Sequence, residues 1–352
     1  MSASVLLARL GTTTPVIQAP MAGGWTTPAL VAAVSESGAF GFLAGARLTA
    51  DQLREQIADT RRRTARPFGV NFLIPTVPPE DASGTLDHPV VTRIRARLAL
   101  PAPRPMPGSA GIDEALDVAI RAGVPVVSFA MGLPARYIPM LHSAGVLVIA
   151  TATTVAEAEA SEAAGADAIV AQGAEAGGHR STFGAPRPDE VPLIGTLALV
   201  PPVVDAVRVP VIAAGGIMDG RGVVAALALG AEAAQLGTRF LLAFESGATA
   251  GYRRRLLDAV ETDTVVTDVY TGRCARGIRN RLVEVFAETG EAPLPWPRMS
   301  RSAADVYHAS YATDGDWAPL YAGQGLRLAR REQPAAEIVA ELRAAVDRGP
   351  RA

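Results

Sequence analysis

The feature that most restricts what this chain can fold into is a repeat. A glycine, one or two small residues and a short apolar run recur in "ESGAFGFLAG", "RAGVPVVSFA", "SAGVLVIATA", "AAGADAIVAQG" and "ALGAEAAQLG". The unit is roughly 20 to 25 residues long, enough for one strand and one helix. Gly165 and Gly230 close Ala-rich helical stretches, as expected of a glycine just past a helix end. Eight apolar runs can be counted: "VIQAP" near 16, "FGFLA" near 40, "FGVNF" near 68, "VVSFA" near 126, "VLVIA" near 146, "AIVAQ" near 168, "VIAAG" near 211 and "AQLGT" near 234. They are continuously apolar, the mark of parallel strands buried on both faces. Eight parallel units close most economically into an α/β fold, the TIM (β/α)8 barrel. An open doubly wound sheet is the competing arrangement. No GxGxxG opens the first helix, however, and no acidic residue follows at the distance such a sheet requires.

The repeat is interrupted twice. Residues 75–110 hold "PTVPPEDASG" and "LPAPRPMPG" around one expected helix near 90–100, and residues 173–200 hold "STFGAPRPDEVPLIGT". Both insertions follow a strand, which puts them on the C-terminal face, where barrels carry their chemistry. Beyond residue 245 the repeat stops. We expect a barrel core over 1–245 and a mostly helical extension over 246–352, packed on it as one compact unit that lids the mouth or forms a partner surface. Its helices are expected near 250–260, 274–288 and 328–346.

Composition narrows the function classes. A net charge of −2 argues against nucleic-acid binding. All 33 basic residues are arginine, so a lysine Schiff base, P-loop lysine or lysine general base is excluded. The one cysteine, Cys274, excludes an intramolecular disulfide and a cysteine-rich metal centre, and reads as a small buried residue. "MSASVLLARL" is a poor signal peptide, and no apolar stretch of about 18 residues runs uninterrupted. The expectation is a cytoplasmic protein without a metal, membrane or nucleic-acid partner. A homodimer is compatible with the sequence but not specified by it.

Two strand ends have the makings of a phosphate site. "AAGGIMDGRG" places Gly215 and Gly216 after the seventh run, and "QLGTRF" places Gly237 and Thr238 after the eighth. Loops at these two positions commonly bind phosphate in this fold, through backbone N–H groups and a helix N-terminus. Tight turns alone would also need these glycines. A phosphate here suggests a phosphorylated cofactor. Gln18 and Met21 follow the first run, Asn71 lies on the third and Gln172 ends the sixth. A buried amide is costly unless paired, and Asn71 with Gln172 facing one cavity fits the donor and acceptor edge of an isoalloxazine.

These stretches, together with "PVIQAPMAGG", "FGVNFLIP", "QGAEAGGHR", "EAAQLGTRFL" and "YAGQG", resemble the nitronate monooxygenases, enzymes formerly called 2-nitropropane dioxygenases. The resemblance runs from residue 15 to about 325 in order. It implies a TIM barrel that binds FMN non-covalently and acts on a small nitro or nitronate substrate with O2. It further implies flavin contacts at the positions of Asn71, Gln172, Gly177, Gly216 and the stretch Gln235, Leu236, Gly237 and Thr238, and a catalytic base at His179. Where the late motif of the family begins with tryptophan, this chain has Tyr321. A flavin-dependent enoyl reductase and NADH:quinone reductases share similar motifs, so an NAD(P)H-dependent flavin reductase is the alternative, and a repurposed biosynthetic flavoprotein a third.

Of the four histidines, His179 stands out by its glycine neighbours and strand-end position, and imidazole suits proton removal from a carbon acid. His88 and His142 read as structural. His308, between Tyr307 and Tyr311, could reach the site if the extension forms a lid. Glu175 could orient a ring, pair with Arg180, or be a plain surface carboxylate.

Overall fold

All eight apolar runs become strands of one closed parallel barrel in the computed structural model, which describes residues 4–74, 86–101, 111–184, 186–328 and 330–349. The barrel strands are β1 (Val16–Gln18), β2 (Phe40–Ala44), β3 (Gly69–Leu73), β4 (Val126–Ala130), β5 (Leu147–Ala152), β6 (Ala168–Gln172), β8 (Val211–Ala214) and β9 (Ala233–Leu236). They follow one another around the barrel in chain order, and β9 closes on β1 with Ile17 opposite Gln235. This is the expected TIM barrel. "PTVPPEDASG" and most of "LPAPRPMPG" lie outside the described residues.

Side chains alternate across a strand, so each barrel strand feeds two cores. Ile17, Phe40, Phe42, Val126, Ile149 and Val170 fill the barrel interior. Leu6 and Leu10, four apart on the helix Val5–Leu10, join the same cluster and plug it. The outward residues pack on the surrounding helices, as Val16, Ile169 and Ala213 do with Leu199, Val203 and Val223. Capping side chains start many of those helices: Thr27, Thr49, Thr154 and Asp219 each accept a backbone N–H of the first turn.

Beyond the barrel, the helices Pro89–Arg97 and Ala250–Asp258 occur where expected. The expected helix over 274–288 does not start at 274. Residues Ala275–Ile278 are a strand, β11, antiparallel to both β10 (Thr264–Thr267) and the two-residue β7 (Gly178–His179). Gly277 disfavours helix, both edges of β11 find partners, and the helix begins only at Arg281, capped by Asn280. The last helix is Ala335–Arg348, later than the expected start near 328, with Pro334 at its N-cap. It packs beside the helices Gly220–Ala228 and Pro28–Glu36. A Cβ on Gly220 would lie 2.0 Å from Ala345 Cβ, so this close approach requires glycine. Val90, Val91 and Ile94 share a core with Tyr270, Phe286 and Tyr307, which joins the first insertion to the chain after 245. Among the described residues no helix is long and apolar enough to cross a membrane.

Candidate active site

The barrel interior changes from apolar to polar at its C-terminal end. Val126, Ile149, Val170 and Ala233 face inward, and the residues two positions later on the same strands are Ser128, Thr151, Gln172 and Gln235. Asn71 on β3 lies at the same level, between Ala44 of β2 and Ser128 of β4 in the register. On the far side Ala214 lies between Gln172 and Gln235. The mouth thus presents a ring of hydroxyls and amides interrupted by small alanines. Asn71 Nδ2 donates to Ser128 Oγ at 2.9 Å and to Ser128 O at 3.2 Å. Sequence reasoning singled out Asn71, Gln172 and Gln235 but missed Ser128 and Thr151, which the two-residue parity of their strands would have revealed.

His179 is the second residue of β7, and its backbone lies opposite Ala275 of β11. Its Nε2 is 2.8 Å from Thr271 Oγ1. The buried Thr271 hydroxyl also lies 3.3 Å from Arg273 O. A carbonyl can only accept, and we assign the hydroxyl hydrogen to Arg273 O. The Thr271 oxygen then accepts Nε2–H, leaving the lone pair of the ring on Nδ1. Trp296 meets the ring edge-on at 5.3 Å and Tyr321 lies at 5.5 Å. Burial of the imidazole, followed by the positive charges of Arg47 and Arg273, brings its pKa down from 6.5 to about 3. The ring is therefore neutral at ordinary pH.

The loop that carries His179 is held by its own polar groups. Gln172 Nε2 donates to His179 O at 3.1 Å, and Gln172 Oε1 accepts from Ser181 N at 2.9 Å. Arg180 is only 1% exposed and donates to the carbonyls of Gln172, Gly173 and Pro192 at 2.7–3.0 Å. Its burial lowers its pKa to about 10. Glu175 forms no salt bridge with Arg180. It accepts from Thr196 N and Thr196 Oγ1, both at 2.8 Å. This places its charge at the start of the helix Thr196–Ala206, where unpaired N–H groups and the helix dipole favour an anion.

The glycines divide into two kinds. At Gly177 a Cβ would sit 2.6 Å from the carbonyl carbon of Ala322 and 2.7 Å from Gly323 N. That glycine admits the "YAGQG" backbone. Gly323 N donates to Thr238 Oγ1 at 3.0 Å and Gln324 N to Glu175 O at 2.9 Å, tying the late motif to β9 and to the β6 loop. Gly178, by contrast, has φ +80° and open space where a Cβ would be. Gly215 and Gly216, after β8, have φ +128° and +68°. Gly237, after β9, faces Met21, whose Sδ lies 3.9 Å from the Gly237 Cβ position.

Other expected residues stay outside this cluster. His88 is buried and accepts from Val90 N while its Nε2 meets Ala292 O, a structural role. His142 pairs with Asp167. His308 is exposed on the helix Ala304–Tyr311, with no contact to His179. Cys274 is buried, its Sγ 3.6 Å from Pro186 O. Thr271, Trp296 and Arg47 went unnoticed in the sequence, although a tryptophan inside the Pro-rich "EAPLPWPRMS" was a usable signal.

A closed parallel barrel whose interior turns polar only at the strand C-termini, beneath a histidine held in one tautomer, has the organisation of a TIM-barrel enzyme. Known proteins narrow the class. The sequence profile of the family described as Nitronate monooxygenase matches residues 4–345. A probable nitronate monooxygenase of Staphylococcus saprophyticus is 39% identical over 332 residues, 89% of each chain. The structure of a nitroalkane oxidase from Streptomyces ansochromogenes superposes with a TM-score of 0.88 at 41% identity, covering 98% of this chain and 99% of that one. FabK from Thermotoga maritima superposes with a TM-score of 0.77 at 30% identity, covering 99% and 97%. The chain belongs to the nitronate monooxygenase family and is an oxidoreductase.

Proposed function

We propose that this chain is an FMN-dependent nitronate monooxygenase, converting nitronates and their parent nitroalkanes with O2 to a carbonyl compound and nitrite. The observation that carries this reading is the placing of His179 at the barrel mouth, with Nε2 2.8 Å from Thr271 Oγ1 and the ring between Trp296 and Tyr321.

The residues present fit FMN. Asn71, Gln172 and Gln235 stand near the C-terminal ends of their strands, with Ala44 beside Asn71 and Ala214 between Gln172 and Gln235, a set suited to a heteroaromatic ring. Gly215, Gly216, Leu236, Gly237 and Thr238 would hold the phosphate, with Met21 and Gly177 completing the surround. When bound, FMN supplies electron acceptance and the reaction with oxygen.

His179 Nδ1 takes the proton from the carbon beside the nitro group of a neutral nitroalkane. With a nitronate that proton is already gone, and the low pKa of His179 keeps the ring from returning it. Thr271 orients the ring, and Trp296 and Tyr321 pack against it.

Stopped-flow mixing of the FMN-loaded protein tests this. Nitrite release from ethyl nitronate under oxygen, without NAD(P)H, is the expected result. Rapid anaerobic bleaching by NADH without nitrite release would replace it with a flavin reductase, the activity the likeness to FabK keeps in view. Failure to take up FMN would remove both.

A further inference from the structure

Arg47 brings a positive charge to the same mouth from the opposite side. It lies in the loop between β2 and the helix Ala50–Arg63. Its φ is +68°, in the left-handed region that side chains avoid. Strain of this kind persists only where the surroundings hold it, and it concentrates at functional positions. Arg47 Cζ lies 5.9 Å from the centre of the Trp296 ring, and that ring lies 5.3 Å from His179. One indole therefore touches both the cation and the proposed base. The arginine is exposed and forms no salt bridge with any described carboxylate. The charge of Arg47 is also felt inside the site, where it adds to the effect of burial in lowering the pKa of His179 and offsets part of the rise that burial gives Tyr321.

We propose that Arg47, stacked on Trp296 at the barrel mouth, is a substrate-binding residue that selects the anionic nitronate over its neutral nitroalkane acid. The inference rests on the activity proposed above and names the residue that sets its substrate preference. A nitroalkane has no net charge for Arg47 to attract. A nitronate does, and the aromatic walls around His179 limit the screening of that attraction. The indole face restrains the guanidinium without neutralising it, so the charge stays available to the ligand.

The test compares wild type, Arg47→Gln and Arg47→Lys, all FMN-loaded, on ethyl nitronate and nitroethane. In Arg47→Gln the ratio of kcat/KM for nitronate to that for nitroethane should fall about tenfold, through KM for the anion, and Arg47→Lys should restore most of it. Inorganic nitrate, followed by quenching of tryptophan fluorescence, should bind Arg47→Gln about tenfold more weakly than wild type. An unchanged selectivity ratio with unchanged nitrate affinity overturns the role of Arg47. Absence of nitrite release by wild type overturns the activity instead, and the nitrate measurement then still decides whether Arg47 binds anions.

Discussion

His179 Nε2 and Thr271 Oγ1 lie 2.8 Å apart across 92 residues of sequence. One comes from the loop after the sixth barrel strand and the other from the turn before β11, so the tautomer of the proposed base depends on the chain beyond residue 245. Thr271→Val should lower kcat on nitronates about tenfold, the worth of one buried hydrogen bond, with little change in KM. Thr271→Ser should restore it. Steady-state nitrite release measures both, and equal rates for the valine and serine variants would dismiss the hydroxyl.

Replacement of the base separates cofactor binding from proton transfer. His179→Asn should keep the flavin absorbance and lose about 10²- to 10⁴-fold on nitroethane, the usual reach of a general base. The loss on ethyl nitronate should be smaller, because that substrate arrives deprotonated. Equal losses on both would remove proton abstraction from the role of His179.

The pH dependence of stability follows from the same residue. The folded pKa of His179, about 3, is below its ordinary 6.5, so on acidification the unfolded chain takes up this proton first. The contribution is complete above pH 6.5 and is lost as the pH falls from there toward 3. Urea unfolding between pH 7 and 4 should show wild type losing more stability than His179→Asn. Parallel curves, or an NMR titration of the ring near pH 6, would contradict the neutral imidazole.

Gly177 is expected to tolerate no side chain. In Gly177→Ala the new Cβ meets the backbone of Ala322 and Gly323, which cannot rotate away. Overpacking of this kind costs about 1–3 kcal/mol, readable as a lower Tm. Gly178→Ala meets no atom within 4 Å, but its φ is +80°. Its cost should be the smaller backbone strain alone, about 1 kcal/mol, and the reverse ranking would contradict the packing of "YAGQG" on Gly177.

Glu175 should matter to the helix it caps. Glu175→Ala removes the acceptor for Thr196 N and Thr196 Oγ1 and should destabilise the protein by about 1 kcal/mol. Thermal unfolding checks this, and an unchanged Tm would show that the cap is dispensable.

The strands were readable because each is a compact apolar run, five of them preceded by a glycine just past a helix, and a strand buried on two faces needs little else. The helix expected at 274 was not, because Ala275–Ile278 takes its conformation from partners on both edges, residues 178–179 and 264–267. Asn280, the cap that starts the true helix, was a local signal and was overlooked. At the site, Asn71 and Gln172 were visible as polar residues at apolar strand ends, and Gln235 through the family resemblance. Ser128 and Thr151 look like ordinary strand residues, because only the two-residue parity of β4 and β5 shows that they face inward.

The sequence by itself determined the barrel and the end of it that is polar, since the glycine-punctuated repeat and the order of strand ends are local properties of the chain. Only the tertiary structure decided what surrounds His179. Thr271, Trp296, Tyr321 and Arg47 come from four separate loops that share no period. Loops carry no repeating pattern to read, and their side chains meet only after barrel closure and the pairing of β7 with β11 have fixed where each loop stands.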